Sequence, residues 1–110
     1  MERFIKGDIV VIPFPFSDLS GVKKRPALVL ADLQGDDIIL CQITSQQTKD
    51  KYALPIKPND FKYNNLPTQS NIRPNRIFTA DKNIIIRKVA GLNKSVVLAV
   101  TQKVIKIISD

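Results

Sequence analysis

Arg25-Pro26-Ala27-Leu28-Val29-Leu30-Ala31-Asp32-Leu33-Gln34-Gly35-Asp36-Asp37-Ile38-Ile39-Leu40-Cys41-Gln42-Ile43-Thr44 is the stretch whose reading decides the fold. Two apolar runs, 25–32 and 38–44, flank Gln34-Gly35-Asp36-Asp37, whose glycine and acids form turns readily. Each run has the length and β-branched content of a strand, so the stretch reads as an antiparallel hairpin turning at Gly35. Strands alternate their faces. Arg25 therefore shares a side with Ala27, Val29 and Ala31, and Thr44 with Gln42 and Leu40. In that hairpin the start of one run lies beside the end of the other, which brings Arg25 and Thr44 to the same edge.

Upstream, Asp8-Ile9-Val10-Val11-Ile12-Pro13-Phe14 reads as a buried strand, with Pro13 placing its far end at an edge or bulge. Residues 15–24 read as a loop longer than a tight hairpin, the kind of connection that carries function. Residues 45–69 are polar and broken by Pro55, Pro58 and Pro67, and only Tyr52-Ala53-Leu54-Pro55-Ile56 resembles a short strand. Ser70 to Asp81 and Lys82 to Arg87 suggest two more strands around a turn at Ala80-Asp81-Lys82-Asn83.

After Gly91-Leu92 the period changes. Asn93 is placed to cap a helix in which Val97, Val100, Val104 and Ile107 or Ile108 recur at spacings of three and four. Lys94, Lys103 and Lys106 fall mainly on its outer side, although the density of valine and isoleucine also suits a strand. The sum is a mainly β chain with a terminal helix (β+α), which implies a curled antiparallel sheet closed by that helix. No repeat or linker divides residues 1–110, so one domain is expected.

Composition narrows the chemistry. With 44% hydrophobic and 25% charged residues the chain is that of an ordinary globular protein. No apolar stretch is long enough to span a bilayer and the first residues lack a secretory pattern, so a cytoplasmic address and no membrane partner are expected. The single cysteine, Cys41, sits in an apolar run and reads as a buried apolar residue. Without histidine, neither a zinc cluster nor imidazole catalysis can be built, and no cofactor is implied. Seventeen basic residues against ten acidic ones give a net charge of +7, which favours an anionic partner: nucleic acid first, an acidic protein segment second. Lysines that only solubilise the surface account for part of such a charge equally well.

A guanidinium beside a hydroxyl suits a phosphodiester, because the planar fork donates to two phosphoryl oxygens and stabilises the charge that grows during transfer. RNA supplies its own nucleophile, the 2′-hydroxyl, so neither a metal nor a protein nucleophile is required. Arg25 and Thr44 also fit an ordinary strand end, one in a surface ion pair and the other filling a β position. Arg73, Arg76, Arg87 and Lys88 concentrate charge ahead of the helix, either to guide an RNA backbone or as a solvated face. Phe14, Phe16, Phe61 and Tyr63 are candidates for base stacking, and Phe14 suits a core position as well.

Gly7-Asp8-Ile9-Val10, a loop, Lys24-Arg25-Pro26-Ala27-Leu28-Val29-Leu30 and Ile43-Thr44-Ser45 resemble the MazF/PemK toxins in order and spacing. Ser70-Asn71-Ile72, Arg76-Ile77-Phe78-Thr79-Ala80-Asp81-Lys82 and Val89-Ala90-Gly91-Leu92 resemble the family's second block and its lead into the last helix. The resemblance covers most of the chain except residues 46–69. It implies a small SH3-like, CcdB/PemK-type curled antiparallel barrel with a C-terminal helix. It also implies a homodimeric toxin of a toxin–antitoxin pair that cuts single-stranded RNA at short sequences without metal.

Arg25 and Thr44 match the family's catalytic arginine and threonine, Ser45 follows as a phosphate contact, and Ser17, Ser20 and Lys24 belong to the loop that covers the RNA groove. Arg73 and Arg76 join them as candidate substrate-binding residues on charge. The implied partner is an acidic, partly disordered antitoxin, which suits the +7 charge. Two positions depart from the pattern: Ser17-Asp18-Leu19-Ser20-Gly21 replaces the usual Gly-Ser-Glu type of loop, and Arg76 stands where glutamine is common.

A guanidinium holds its proton at any physiological pH, so Arg25 is assigned charge stabilisation and Thr44 a hydrogen bond to the phosphate or leaving group. Asp18 is a conceivable base and equally an exposed turn residue. Two rival functions use the same fold or charge: a CcdB-like toxin that binds DNA gyrase, and a nucleic-acid-binding module without catalysis.

Overall fold

The β-branched and aliphatic runs pair into a single antiparallel sheet. The computed structural model describes residues 3–14, 23–46 and 49–110. Its strands are β1 (Asp8–Phe14), β2 (Lys23–Asp32), β3 (Asp37–Thr44), β4 (Leu54–Pro55), β5 (Phe61–Tyr63), β6 (Asn71–Asp81) and β7 (Arg87–Leu92), followed by the helix α1 (Lys94–Ser109). They lie in the order β4-β6-β3-β2-β1-β7-β5, a curled half-barrel. The β2–β3 hairpin turns through Gly35, whose φ of +77° is a conformation that glycine adopts without cost.

Alternation along the strands sorts the core into two layers. On one face Ile9, Leu28, Cys41, Ile43, Ile72, Ala90 and Leu92 pack under Val97 and Val100 of α1. On the opposite face Val10, Ile12, Ala27, Val29, Ile38 and Leu40 gather with Phe4, Phe78, Ala80 and Ile85. Each fully buried aliphatic side chain contributes about 1.5–3 kcal/mol, so the two layers dominate the stability of the sheet.

The helix reading holds over the strand alternative. Val97 and Val100 are buried, Val104 and Ile107 half-buried, and Ile108 is 70% exposed, so Ile107 is the one turned toward the sheet. Asn93 stands at the N-cap, but its side chain donates to the Asn59 carbonyl at 2.8 Å and its backbone N–H to Asp60 O at 2.8 Å. The start of α1 is thereby fastened to the turn before β5.

Three expectations are corrected. Residues 82–87 are not a strand: Lys82–Ile84 is a 3₁₀ turn capped by Asp81, which accepts from Asn83 N at 2.8 Å. Lys82 fixes that turn by donating its backbone N–H to Asp36 O and its ammonium to Leu33 O and Gly35 O. The last strand begins at Arg87 and contains Val89-Ala90-Gly91-Leu92, which pairs with β1. Finally, a bulge between Val29 and Ala31 sets Ala31 opposite Ile39, and so turns it away from the side that Arg25 and Ala27 share.

Candidate active site

The strand register places the chemistry. β1 pairs with β2 at Ile12↔Arg25, β2 with β3 at Ala27↔Gln42, and β3 with β6 at Thr44↔Asn71. Carrying the Ala27↔Gln42 register on by two residues sets Arg25 opposite Thr44. Ile12, Arg25, Thr44 and Asn71 thus form one row across four strands, on the face away from α1. Arg25 and Asn71 are half-buried and Thr44 is buried. The Thr44 hydroxyl accepts from Gln46 N–H at 3.2 Å, which leaves its own proton to be donated. Val10, Ile12, Ala27 and Leu40 make the neighbouring floor apolar, and a poorly solvated floor strengthens any charge-assisted bond made above it.

Beside this row β6 leaves the ladder. Its pairing with β3 passes from Ile43↔Ile72 directly to Cys41↔Ile77, so Gln42 alone faces Arg73-Pro74-Asn75-Arg76. The bulge is anchored from beneath. Cys41 Sγ donates to Arg73 O at 3.0 Å, Pro74 is fully buried, and Arg73 Nε and Nη2 both reach Asp50 Oδ2 at 3.2 Å. The Asp50 carboxyl is held below its usual range by the backbone N–H of Tyr52 and by hydrogen bonds from Arg73 and Asn75, which outweigh its burial. Burial pushes the Cys41 thiol up to about 12.

A family model described as a PemK-like, MazF-like toxin of type II toxin–antitoxin systems matches residues 5–108. The chain belongs to that family. An endoribonuclease from a mycobacterial species, solved in complex with its cognate antitoxin, superposes with a TM-score of 0.74 at 12% identity over 97% of this chain and 96% of that one. The Mycobacterium tuberculosis toxin MazF-mt6 gives 0.68 at 15% identity over 93% and 96%, respectively. A MazE–MazF structure from Deinococcus radiodurans gives 0.74 at 18% over 94% of both chains. At such identities the likeness is one of fold. Comparison with curated proteins gives no match.

In this PemK/MazF-type toxin the residues singled out from sequence are placed unequally. The β2–β3 register, extended from Ala27↔Gln42, sets Arg25 opposite Thr44, and Ser45 follows exposed. Arg76 is exposed at the end of the bulge, two residues before Phe78, which packs on the same face of the sheet. Arg73 is engaged by Asp50, and strand alternation turns Lys24, opposite Pro13, away from the Arg25 face. Ser17 and Ser20, like Asp18 and Phe16, lie outside the described residues.

The stacking candidates on β5 are elsewhere. Phe61 packs under α1, and the Tyr63 hydroxyl donates to Asp8 Oδ1 at 2.8 Å on the far side of the sheet. Lys88 is bound to Asp8 Oδ2 at 3.3 Å and to Arg3 O at 3.1 Å. Two polar neighbours were not anticipated as site residues, Asn71 and Gln42. The signal for Gln42 was a polar residue on the apolar alternation of β3, whereas Asn71 needed the β3–β6 register to be noticed.

Proposed function

We propose that this toxin is a metal-independent, sequence-specific endoribonuclease that cleaves single-stranded RNA. The observation that carries the reading is the Arg25–Thr44–Asn71 row on the sheet face away from α1, with the Thr44 proton available for donation. The substrate's own 2′-hydroxyl attacks the adjacent phosphorus, its proton passing to water, and the 5′-oxygen of the next nucleotide departs and takes a proton from water, leaving a 2′,3′-cyclic phosphate and a 5′-hydroxyl end. Arg25 donates to the non-bridging oxygens, where charge accumulates, and Thr44 donates to the phosphate or the leaving oxygen. The +7 charge draws the RNA backbone onto the protein and suits an acidic antitoxin that competes for the same face.

The active form is a cytoplasmic homodimer. Family membership supports this, as does the apolar stripe of Leu98, Ile105 and Ile108 exposed along α1.

The test is incubation of purified protein with a long single-stranded RNA in excess EDTA, beside Arg25→Ala and Thr44→Ala, with the new ends mapped. Cleavage at a few defined motifs, ending in cyclic phosphate and lost in both variants, is expected. A folded, antitoxin-free wild type that leaves the RNA intact would instead direct attention to a protein target such as gyrase.

A further inference from the structure

We propose that the notch opened by the Arg73–Arg76 bulge is a nucleobase-reading subsite, in which Gln42 and Arg76 select the base next to the scissile phosphate. The proposal rests on the nuclease reading of the Arg25–Thr44 row and assigns that site its source of sequence preference.

Gln42 lies on the same face as Thr44 and two residues away, roughly 7 Å along the strand, about one nucleotide step from the phosphate position. It is half-buried, yet its side-chain amide takes no hydrogen bond among the described residues. On its β2 side it pairs with Ala27, whose side chain is a single methyl group. On its β6 side the ladder is interrupted, because four residues stand opposite this one. Bulges of this kind re-aim side chains beside functional sites.

This bulge is held in place by Asp50 from below, through Arg73 and Asn75, so it is a formed feature of the fold. Arg76 leaves the bulge exposed and on the face that Gln42 shares, since the next residue, Ile77, pairs with Cys41 of the other face.

Chemistry identifies the ligand as an unstacked purine. The guanidinium fork of Arg76 matches the O6 and N7 acceptors of guanine, and the Gln42 amide offers an acceptor and a donor to a second base edge. A pyrimidine presents fewer acceptors and does not fill both partners. The row of Arg25 and Thr44 addresses only the phosphate and carries no base information. The base preference therefore has to come from neighbours such as these.

The experiment maps cleavage motifs on a randomised single-stranded RNA for the wild type, Gln42→Ala, Gln42→Glu and Arg76→Lys. In parallel, binding of 2′-O-methyl oligonucleotides, which cannot be cut, is measured with each base at the variable position. The wild type should prefer a purine at one position beside the cut, with guanine favoured. Gln42→Ala should flatten that preference by about tenfold. Gln42→Glu, which keeps the size of the side chain and removes its donor, should shift the preference, and Arg76→Lys should reduce the guanine advantage.

Unchanged motif and unchanged binding preference in Gln42→Ala and Gln42→Glu would overturn the subsite while leaving the nuclease reading in place. A wild type that cuts nothing but binds purine-containing oligonucleotides in a Gln42-dependent way would do the reverse.

Discussion

Asp50 shows how much of the bulge beside this site depends on one residue outside the row. Its carboxylate receives the Tyr52 N–H and ties Arg73 and Asn75, and so holds β6 off the ladder beside Gln42. Its folded-state affinity for a proton is lowered, so its stabilising contribution is complete above the ordinary carboxylate range and is lost as pH falls through the folded value. Asp50→Asn is therefore expected to melt below the wild type at about pH 7, with the gap closing as pH falls below the ordinary carboxylate range and both chains come to carry a neutral side chain. Melting temperatures at intervals across that range check the sign; a gap independent of pH would show that the charge plays no part.

Cys41 makes a second residue-scale prediction. Its thiol, buried and raised to about 12, should ignore thiol reagents in the folded protein at mildly alkaline pH and react once denaturant is added. At this scale the sequence was informative where alternation alone was needed: the shared edge of Arg25 and Thr44 followed from two strands and a turn. Gln42, Asn71 and the Asp50–Arg73 pair required the register of β3 against β6, separated along the chain by residues whose polar, proline-broken composition has no period to read.

At the scale of elements, α1 separates propensity from packing. Its valines and isoleucines favour a strand by themselves, yet the stripe at spacings of three and four meets the apolar face made by Ile9, Leu28 and Ala90 and is helical. Val100→Ala removes buried methyl groups and should cost about 2 kcal/mol, whereas Lys106→Ala, on the exposed side and outside the apolar stripe, should stay within about 0.5 kcal/mol. Urea unfolding of the two variants decides it, and equal losses would contradict the observed orientation of the helix.

The strands before α1 were harder to read for a physical reason. β7 follows a 3₁₀ turn held by Lys82 through long-range carbonyl contacts, and β5 is a short strand completed by its neighbour: Tyr63 lies over Gly91, where a Cβ would come within 2.1 Å of the ring. Neither interaction has a local signature, so a periodic reading passed over β5 and set the last strand, β7, several residues too early.

For the whole molecule, the electrostatic balance links substrate and partner. A net charge of +7 on a chain of this size produces a field that any polyanion feels, and released counterions make such binding salt-dependent. Single-stranded RNA binding to the intact toxin should therefore weaken linearly on a logarithmic scale with added salt, with a slope of about 0.7 per phosphate neutralised. Arg25→Ala, which removes the cation assigned to the phosphate, should lower that slope by about one phosphate contact; Asp50→Asn changes charge beneath the sheet and should leave the slope near that of the wild type.

Titrations with a non-cleavable oligonucleotide at several salt concentrations measure both slopes. A wild-type affinity indifferent to salt would mean that the basic charge serves solubility, and that recognition rests on the sheet face alone. A slope lowered by Arg25→Ala and not by Asp50→Asn would place the RNA backbone across the row of Arg25, Thr44 and Asn71.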